Sequence, residues 1–525
     1  MSFKAWRRLR RAVQILALVL FLYLLLGTTK GGSTLLPHDL FFRLDPLVGI
    51  SAMLAGREWI APLALGASTL LLVFFLGNVW CGWLCPMGTL LDWTPFYRLR
   101  RGRSEVSPSW GNVKYLFLFT ILVAGALGSL IPLVLDPITI LFRTFAGVVL
   151  PVLGSLTTAV NSALYRVELF QPVAEWSDNL LRGILPLNQA FVLQNLSILI
   201  VIIGVFTLNL VQPRFWCRYL CPLGAFLGLA ARYPLLRYRV SGGDCIACGD
   251  CADVCPAGAI DSRREYAANS SRCNVCLACA QMCPTGAISF KWHRFHIPRI
   301  GRFPLRWAGD LLDKNRYDPS RRRALGLFGA AAVCALLLRY IPDISKRPRL
   351  PIRPPGVIEG EFLDKCIRCG ECVKVCPTGG LQPSFLSAGL ESLWTPELIP
   401  RIGYCDYSCN ACGAVCPSRA IPSLSLEEKR NTSIGKAHID EERCLPWSQG
   451  TDCMTCWELC PVPGGAIRLR RHGSEGGSGG SSSVLCPQMI EERCIGCGIC
   501  ENRCPVEGEA AIRVYAAGDE GVELV

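Results

Sequence analysis

Long apolar runs alternate with short polar segments over the first 340 residues, and the pattern changes abruptly after that. Four stretches are long and apolar enough to predict membrane-spanning helices, at about 12–27, 60–80, 113–135 and 191–212. A fifth, shorter run follows at 324–338, ALGLFGAAAVCALLL. Residues 146–165 are moderately apolar and are read as an interfacial helix or one packed on the bundle.

The polar connections carry charge unevenly. Residues 1–11 hold five Lys/Arg, 81–112 hold four and 213–241 hold five, whereas 28–59 and 136–190 hold three each, offset by three and four acids. The positive-inside rule then places the N terminus, 81–112 and 213–241 in the cytoplasm, a four-span topology that is consistent with itself. Residues 291–323 hold ten Lys/Arg and end in Ser320-Arg321-Arg322-Arg323, directly before the fifth apolar run. Twin arginines before a short apolar segment resemble an export signal of the twin-arginine type. The following Arg339-Tyr340-Ile341-Pro342 has no small-residue cleavage pattern, so 324–341 is read as an uncleaved fifth span that sends the rest of the chain outside.

Composition agrees with this division. Hydrophobic residues make up 51% and charged residues 18% of the 525 positions, below the roughly 25% charged of soluble domains. Residues 1–341 hold 35 Lys/Arg against 17 Asp/Glu, and residues 342–525 hold 19 against 24. The basic excess belongs to the membrane part, so nucleic-acid binding is excluded as its explanation.

The apolar half contains a duplication. Trp80-Cys81-Gly82-Trp83-Leu84-Cys85-Pro86-Met87-Gly88 and Trp216-Cys217-Arg218-Tyr219-Leu220-Cys221-Pro222-Leu223-Gly224 both read W-C-x-x-L-C-P-x-G. Leu44-Asp45-Pro46 and Leu135-Asp136-Pro137 precede them. Spans one–two and three–four are therefore read as parallel repeats about an axis along the membrane normal. Such symmetry brings the two cysteine pairs together at one face and the two Asp-Pro motifs at the other.

Thirty cysteines, mostly in groups of four, point to cofactor ligation rather than to a disulfide framework. Cys245, Cys248, Cys251, Cys255-Pro256 and Cys273, Cys276, Cys279, Cys283-Pro284 both read C-x2-C-x2-C-x3-C-P. Two-residue spacers let one loop wrap three thiolates round a cluster, and the fourth cysteine serves the other cluster. Cys245, Cys248, Cys251 and Cys283 are thus assigned to one 4Fe-4S cluster, and Cys255, Cys273, Cys276 and Cys279 to a second. Zinc would favour two C-x2-C pairs instead.

Four more runs follow: Cys366, Cys369, Cys372, Cys376; Cys405, Cys409, Cys412, Cys416; Cys444, Cys453, Cys456, Cys460; and Cys494, Cys497, Cys500, Cys504. They bring the expected total to six 4Fe-4S clusters. The spacing permits the outer runs to pair with each other and the inner runs with each other.

Six cysteines remain. Cys81, Cys85, Cys217 and Cys221 are read as either a further iron–sulfur centre shared by the repeats or a redox dithiol pair. Cys334 is read as a packing residue, and Cys486 has no assigned role. Asp45 and Asp136 each precede a proline, the arrangement of a helix N-cap. Together with His38 they are also candidate proton acceptors for a quinol at the outer interface.

The expected fold is an α-helical membrane bundle of four spans in two parallel repeats plus a fifth anchor span, carrying α+β bacterial-ferredoxin-like domains. The domains are residues 1–112 and 113–241 (the repeats), 242–290 (a cytoplasmic two-cluster ferredoxin), 291–323 (a basic linker), 324–341 (the signal anchor) and 342–525 (a periplasmic four-cluster domain). A Gly/Ser insertion occupies 473–483.

On these motifs, residues 1–300 resemble NapH, a membrane ferredoxin-type protein of periplasmic nitrate reductase systems. Residues 320–510 resemble the NapG and MauM proteins, and the whole resembles a NapH–NapG fusion. The resemblance implies a quinol dehydrogenase of the bacterial inner membrane, drawing on the quinol pool and reducing a periplasmic reductase or multihaem cytochrome, with other membrane electron-transfer subunits as possible partners. Two rival functions are a maturation or reactivation factor carrying cytoplasmic electrons to a periplasmic metalloenzyme, and a wholly cytoplasmic polyferredoxin subunit.

Overall fold

In the computed structural model the described residues are 3–27, 36–94, 108–181, 195–261, 265–292, 319–340, 350–385, 389–472 and 484–516. Most of the basic linker, the Arg98–Arg103 loop and the Gly/Ser insertion lie outside them. The chain divides into two units. The first holds Met1–Tyr23, Leu40–Ile138 and Ile202–Tyr340, and the second holds Leu24–Asp39, Thr139–Val201 and Ile341–Val525.

In the first unit Asp45 opens helix Pro46–Gly56. Its Oδ1 accepts from the backbone N–H of Leu47 at 2.8 Å and of Val48 at 3.2 Å, with proline at the first helical position. Asp136 does the same ahead of Pro137, accepting from Ile138 N–H at 2.9 Å. The expected caps are present. Each C-x3-C-P motif begins inside one turn of π-helix, Trp80–Leu84 and Trp216–Leu220, closed by Cys85 N–H to Trp80 O at 2.9 Å and Cys221 N–H to Trp216 O at 2.8 Å. A helix with proline at its start continues each, Pro86–Trp93 and Pro222–Ala230. The repeats thus share a local fold as well as a sequence.

Strands Leu236–Val240 and Ile288–Trp292 pair antiparallel, Leu236 opposite Trp292, and bracket the two cysteine runs between them. Helix Pro319–Tyr340 packs along Val113–Ala126, with Phe119 and Phe328 edge to face at 5.8 Å. It turns Ala331 and Ala335 inward and leaves Cys334 exposed, so Cys334 is not the packing residue expected.

Among the described residues two helices are long and apolar enough to cross a membrane, Phe3–Gly27 and Pro137–Leu164. The expected spans at 60–80, 113–135 and 191–212 form the shorter apolar helices Ala61–Leu76, Trp110–Ala126 and Asn195–Leu208. Residues 146–165, read as interfacial or packed on the bundle, belong largely to the 28-residue helix Pro137–Leu164, most of which is buried inside the protein.

In the second unit one core, including Ile352, Phe362, Leu398, Ile421, Ile467 and Val514, underlies all four cysteine runs. Strands Gly435–Ile439 and Ile512–Ala516 pair antiparallel and bracket the third and fourth runs, as the strand pair of the first unit brackets its own two. Leu381–Pro383 pairs with Pro396–Leu398 between the first and second runs.

Candidate functional site

A cluster loop must curl tightly enough for three sulfurs to face one centre. The residue just before the second cysteine accordingly has left-handed φ in four runs: Ala247 (54°), Val275 (50°), Arg368 (56°) and Gly496 (72°). Such φ is uncommon outside glycine. The cysteines then gather in fours. Cys245, Cys248, Cys251 and Cys283 line one apolar cavity, and Cys255 lies electrostatically close to Cys273, Cys276 and Cys279. These are the two sets expected from spacing.

The second unit corrects the pairing of the outer with the outer and the inner with the inner runs. Cys376 joins Cys405, Cys409 and Cys412 round one cavity, while Cys416 lies against Cys366, Cys369 and Cys372. Cys504 joins Cys444, Cys453 and Cys456, and Cys460 joins Cys494, Cys497 and Cys500. Neighbouring runs exchange their fourth cysteine because a strand pair closes each module locally.

Backbone N–H groups point at sulfur, as thiolate ligands need: Ala259 to Cys255 at 3.3 Å, Ala437 to Cys494 at 3.4 Å, and Ile421 to Cys416 at 3.5 Å. The donor sets fit iron–sulfur clusters, which supply one-electron carriage when bound. Cys486 is buried on strand Val484–Met489 near Cys444.

Cys81, Cys85, Cys217 and Cys221 also converge, all mutually close. Glycine makes room for them. A Cβ at Gly88 would come within 2.8 Å of the Cys81 carbonyl oxygen, and one at Gly82 would overlap the Asn274 carbonyl. The Trp83 indole donates to Val275 O at 3.0 Å, seating the 273–283 run on this motif. Buried Lys114 lies near Cys81, Cys217 and Cys221. The indole N–H groups of Trp80 and Trp216, equivalent in the repeats, are buried without a hydrogen-bond partner among the described residues.

Sequence reasoning missed the charge cluster beside this quartet. Arg214 Nε donates to Asp92 Oδ1 at 2.6 Å, Arg10 Nη2 to Asp92 Oδ2 at 2.7 Å, and Arg214 Nη1 to the Cys81 carbonyl at 2.9 Å. Burial pushes the Asp92 carboxyl up, but Arg214 and then Arg10 outweigh that and hold it below the ordinary carboxylate range. A depressed pKa means stability that is present above about pH 4 and lost as pH falls through the lower folded value. Asp92→Asn is expected to cost about 2 kcal/mol near neutrality and to flatten the acid limb of a thermal-melt pH profile.

The proton-acceptor candidates fall in both units. In the first, Asp45 and Asp136 are both fully buried, with carboxyls within hydrogen-bonding reach of each other. In the second, His38 Nε2 lies 3.4 Å from the carbonyl oxygen of Val415, the residue before Cys416. Nearby, Lys374 Nζ donates to Leu25 O at 2.5 Å, sits 4.7 Å from the Phe142 ring centre and pairs with Glu371 at 3.3 Å. Burial lowers the Lys374 pKa and raises that of Glu371, each partly offset by the other.

Comparison with known proteins agrees with the cysteine chemistry. A 4Fe-4S binding domain matches residues 59–104 and 194–241, a 4Fe-4S dicluster domain matches 244–287, and a further 4Fe-4S binding domain matches 362–382 and 487–508. The methylamine utilization ferredoxin-type protein MauM of Methylorubrum extorquens is 34% identical over 207 residues, 38% of this chain and 89% of the relative. The ferredoxin-type protein NapG of Escherichia coli is 33% identical over 189 residues, 35% of this chain and 79% of the relative.

The chain belongs to the MauM/NapG family of ferredoxin-type proteins. It is an iron–sulfur electron-transfer protein with several 4Fe-4S clusters. MauN of Paracoccus denitrificans, a methylamine utilization ferredoxin-type protein, is 26% identical to this MauM/NapG member over 267 residues, 49% of this chain and 77% of the relative. No solved structure matches.

Proposed function

We propose that this chain is a NapH–NapG-like fusion that oxidises quinol in the bacterial inner membrane and passes the electrons through its outer four-cluster domain to a periplasmic acceptor. The observation that carries this reading is the contact of His38 with Val415. It puts a base at the end of the first apolar segment against the ligand loop of the 366–372/416 centre. A quinol there gives two protons and two electrons; His38 keeps its Nε2–H on the Val415 carbonyl and takes a proton at Nδ1, and the adjacent centre takes electrons singly. The second proton passes to solvent; Asp45 and Asp136, buried together in the first unit, are the other candidate proton acceptors.

The topology draws support from the make-up of the second unit. Residues 24–39, 139–201 and 341–525 assemble together; they take in most of 136–190 and the first part of 28–59, the segments that the charge distribution assigns to the outside. Membrane embedding is supported by large apolar side chains exposed on helices of the first unit, among them Leu16, Leu71, Phe75, Ile203 and Leu325. In this reading residues 242–290 face the cytoplasm, residues 324–338 cross, and helix Pro137–Leu164 lies at the outer face under the exported domain. Six 4Fe-4S clusters are held by the 24 cysteines of the six runs. The Cys81/Cys85/Cys217/Cys221 quartet, with Lys114 beside it, is a further metal centre. The methylamine utilization named for MauM and MauN, with the resemblance to nitrate reductase systems read from the sequence, makes a periplasmic redox enzyme or cytochrome the expected acceptor.

Protease added to intact spheroplasts is expected to release an iron–sulfur fragment spanning roughly 342–525. Release only after lysis would put all six runs in the cytoplasm and leave the polyferredoxin-subunit reading standing.

A further inference from the structure

In the first unit the Cys81/Cys85/Cys217/Cys221 quartet and the two-run ferredoxin module meet ligand loop to ligand loop. Gly82, the neighbour of Cys81, presses on the backbone of Asn274, the neighbour of Cys273, so closely that a Cβ on Gly82 would overlap the Asn274 carbonyl. One residue further on, the Trp83 indole donates to Val275 O at 3.0 Å. The way from Cys81 to Cys273 therefore crosses a single van der Waals contact and otherwise follows covalent bonds. Asn274 is only 4% exposed, so this contact is shielded from solvent.

The module is clamped in place from several sides. The second repeat contributes Gly228, where a Cβ would come within 2.7 Å of Ser271 O, two residues before Cys273. Near the N terminus Arg7 Nη1 donates to Gln281 Oε1 at 2.7 Å, and Trp6 meets Trp83 edge to face at 6.5 Å. Val79 of the first repeat is buried together with Val275 and Leu277 of the ligand loop. Cations also stand between the two thiol sets. The buried Arg214 lies near Cys81 and Cys217 of the quartet and near Cys276 of the module. Arg10, whose Nε donates to Gly82 O at 3.0 Å, lies near Cys276 too. Electron tunnelling falls steeply with the gap to be crossed, and a bonded path carries it further than open space. Cations between two anionic centres offset their mutual repulsion, which is strong at low dielectric. A purely structural metal site needs neither feature.

Resting on the reading of the quartet as a metal centre, we propose that it is a redox-active iron–sulfur centre whose electron partner is the 255/273/276/279 centre, reached across the Gly82–Asn274 contact. One electron leaves one centre as the other is reduced by one electron, and no bond is made or broken. Arg214 and Arg10, facing both thiol sets, offset the charge that moves between them.

The test uses the full, cluster-loaded chain in detergent, reduced with dithionite, and reads metal content and EPR. The double variant Cys81→Ser/Cys217→Ser is expected to lose iron and to collapse the spin–spin splitting that the quartet imposes on the 255/273/276/279 signal, with the outer-domain signals unchanged. Gly82→Ala is expected to keep all the iron and to shrink that splitting, because its Cβ forces Asn274 away. Gly204→Ala, at a glycine of the same unit with nothing within 4 Å of its Cβ position, is expected to leave it unchanged. If Gly82→Ala loses iron, Gly228→Ala, which lifts the module from the second repeat, decides. Splitting that survives both glycine variants overturns the contact as the path. A double serine variant that loses no metal overturns the metal-centre reading and this inference with it. One that loses zinc leaves the metal-centre reading standing and overturns the inference, since zinc carries no electron. Loss of iron with the splitting unchanged overturns the inference alone.

Discussion

Lys374→Ala is expected to destabilise the outer domain by about 3–5 kcal/mol, because removing one partner of a buried ion pair strands the other. Lys374 and Glu371 are both about 1% exposed, and their 3.3 Å contact is reinforced by the Leu25 carbonyl and the Phe142 ring. With Lys374 gone, the Glu371 carboxylate keeps the desolvation cost without its compensating charge. The double variant Lys374→Met/Glu371→Leu removes both charges and is expected to melt close to wild type. Thermal unfolding in detergent, followed by circular dichroism, reads all three. A single substitution costing under about 1 kcal/mol would mean that the pair does not anchor this loop.

Cys416→Ser and Cys412→Ser, four residues apart in one run, are expected to damage different centres. Cys416 sits with Cys366, Cys369 and Cys372, and Cys412 with Cys376, Cys405 and Cys409. Cys416→Ser is therefore expected to abolish the spectroscopic signature of the 366/369/372/416 centre and to stop quinol electrons before the other three. Cys412→Ser leaves that centre reducible and silences the 376/405/409/412 centre instead. Iron content with EPR of the reduced variants checks this. Loss of the same signal from both would return the second run to self-contained ligation.

The cofactor class was legible from spacing alone, since C-x2-C-x2-C-x3-C-P leaves few chemistries open. The exchange of Cys255 and Cys283 was legible as well, because two adjacent runs have one way to swap. Four runs have several, and the deciding feature is the short strand pair Gly435–Ile439 and Ile512–Ala516, whose partners lie about 75 residues apart. The duplication at Trp80 and Trp216 was visible as letters. The π-turn behind it was not, because five residues carry no period. The contact between His38 and Val415 spans 377 residues and left no local trace. Asp92, a lone acid after Leu91, gained its role only when Arg10 and Arg214 folded onto it.

The most direct test of the whole account is anaerobic addition of a soluble quinol to the full chain in lipid nanodiscs with all centres oxidised, read by visible absorbance and EPR. The account predicts reduction of the outer-domain centres, slowed at least about 100-fold by His38→Gln, with dithionite reduction unchanged. Centres that stay oxidised under excess quinol, yet reduce readily with a cytoplasmic-type ferredoxin, would contradict it and support a maturation or reactivation factor instead.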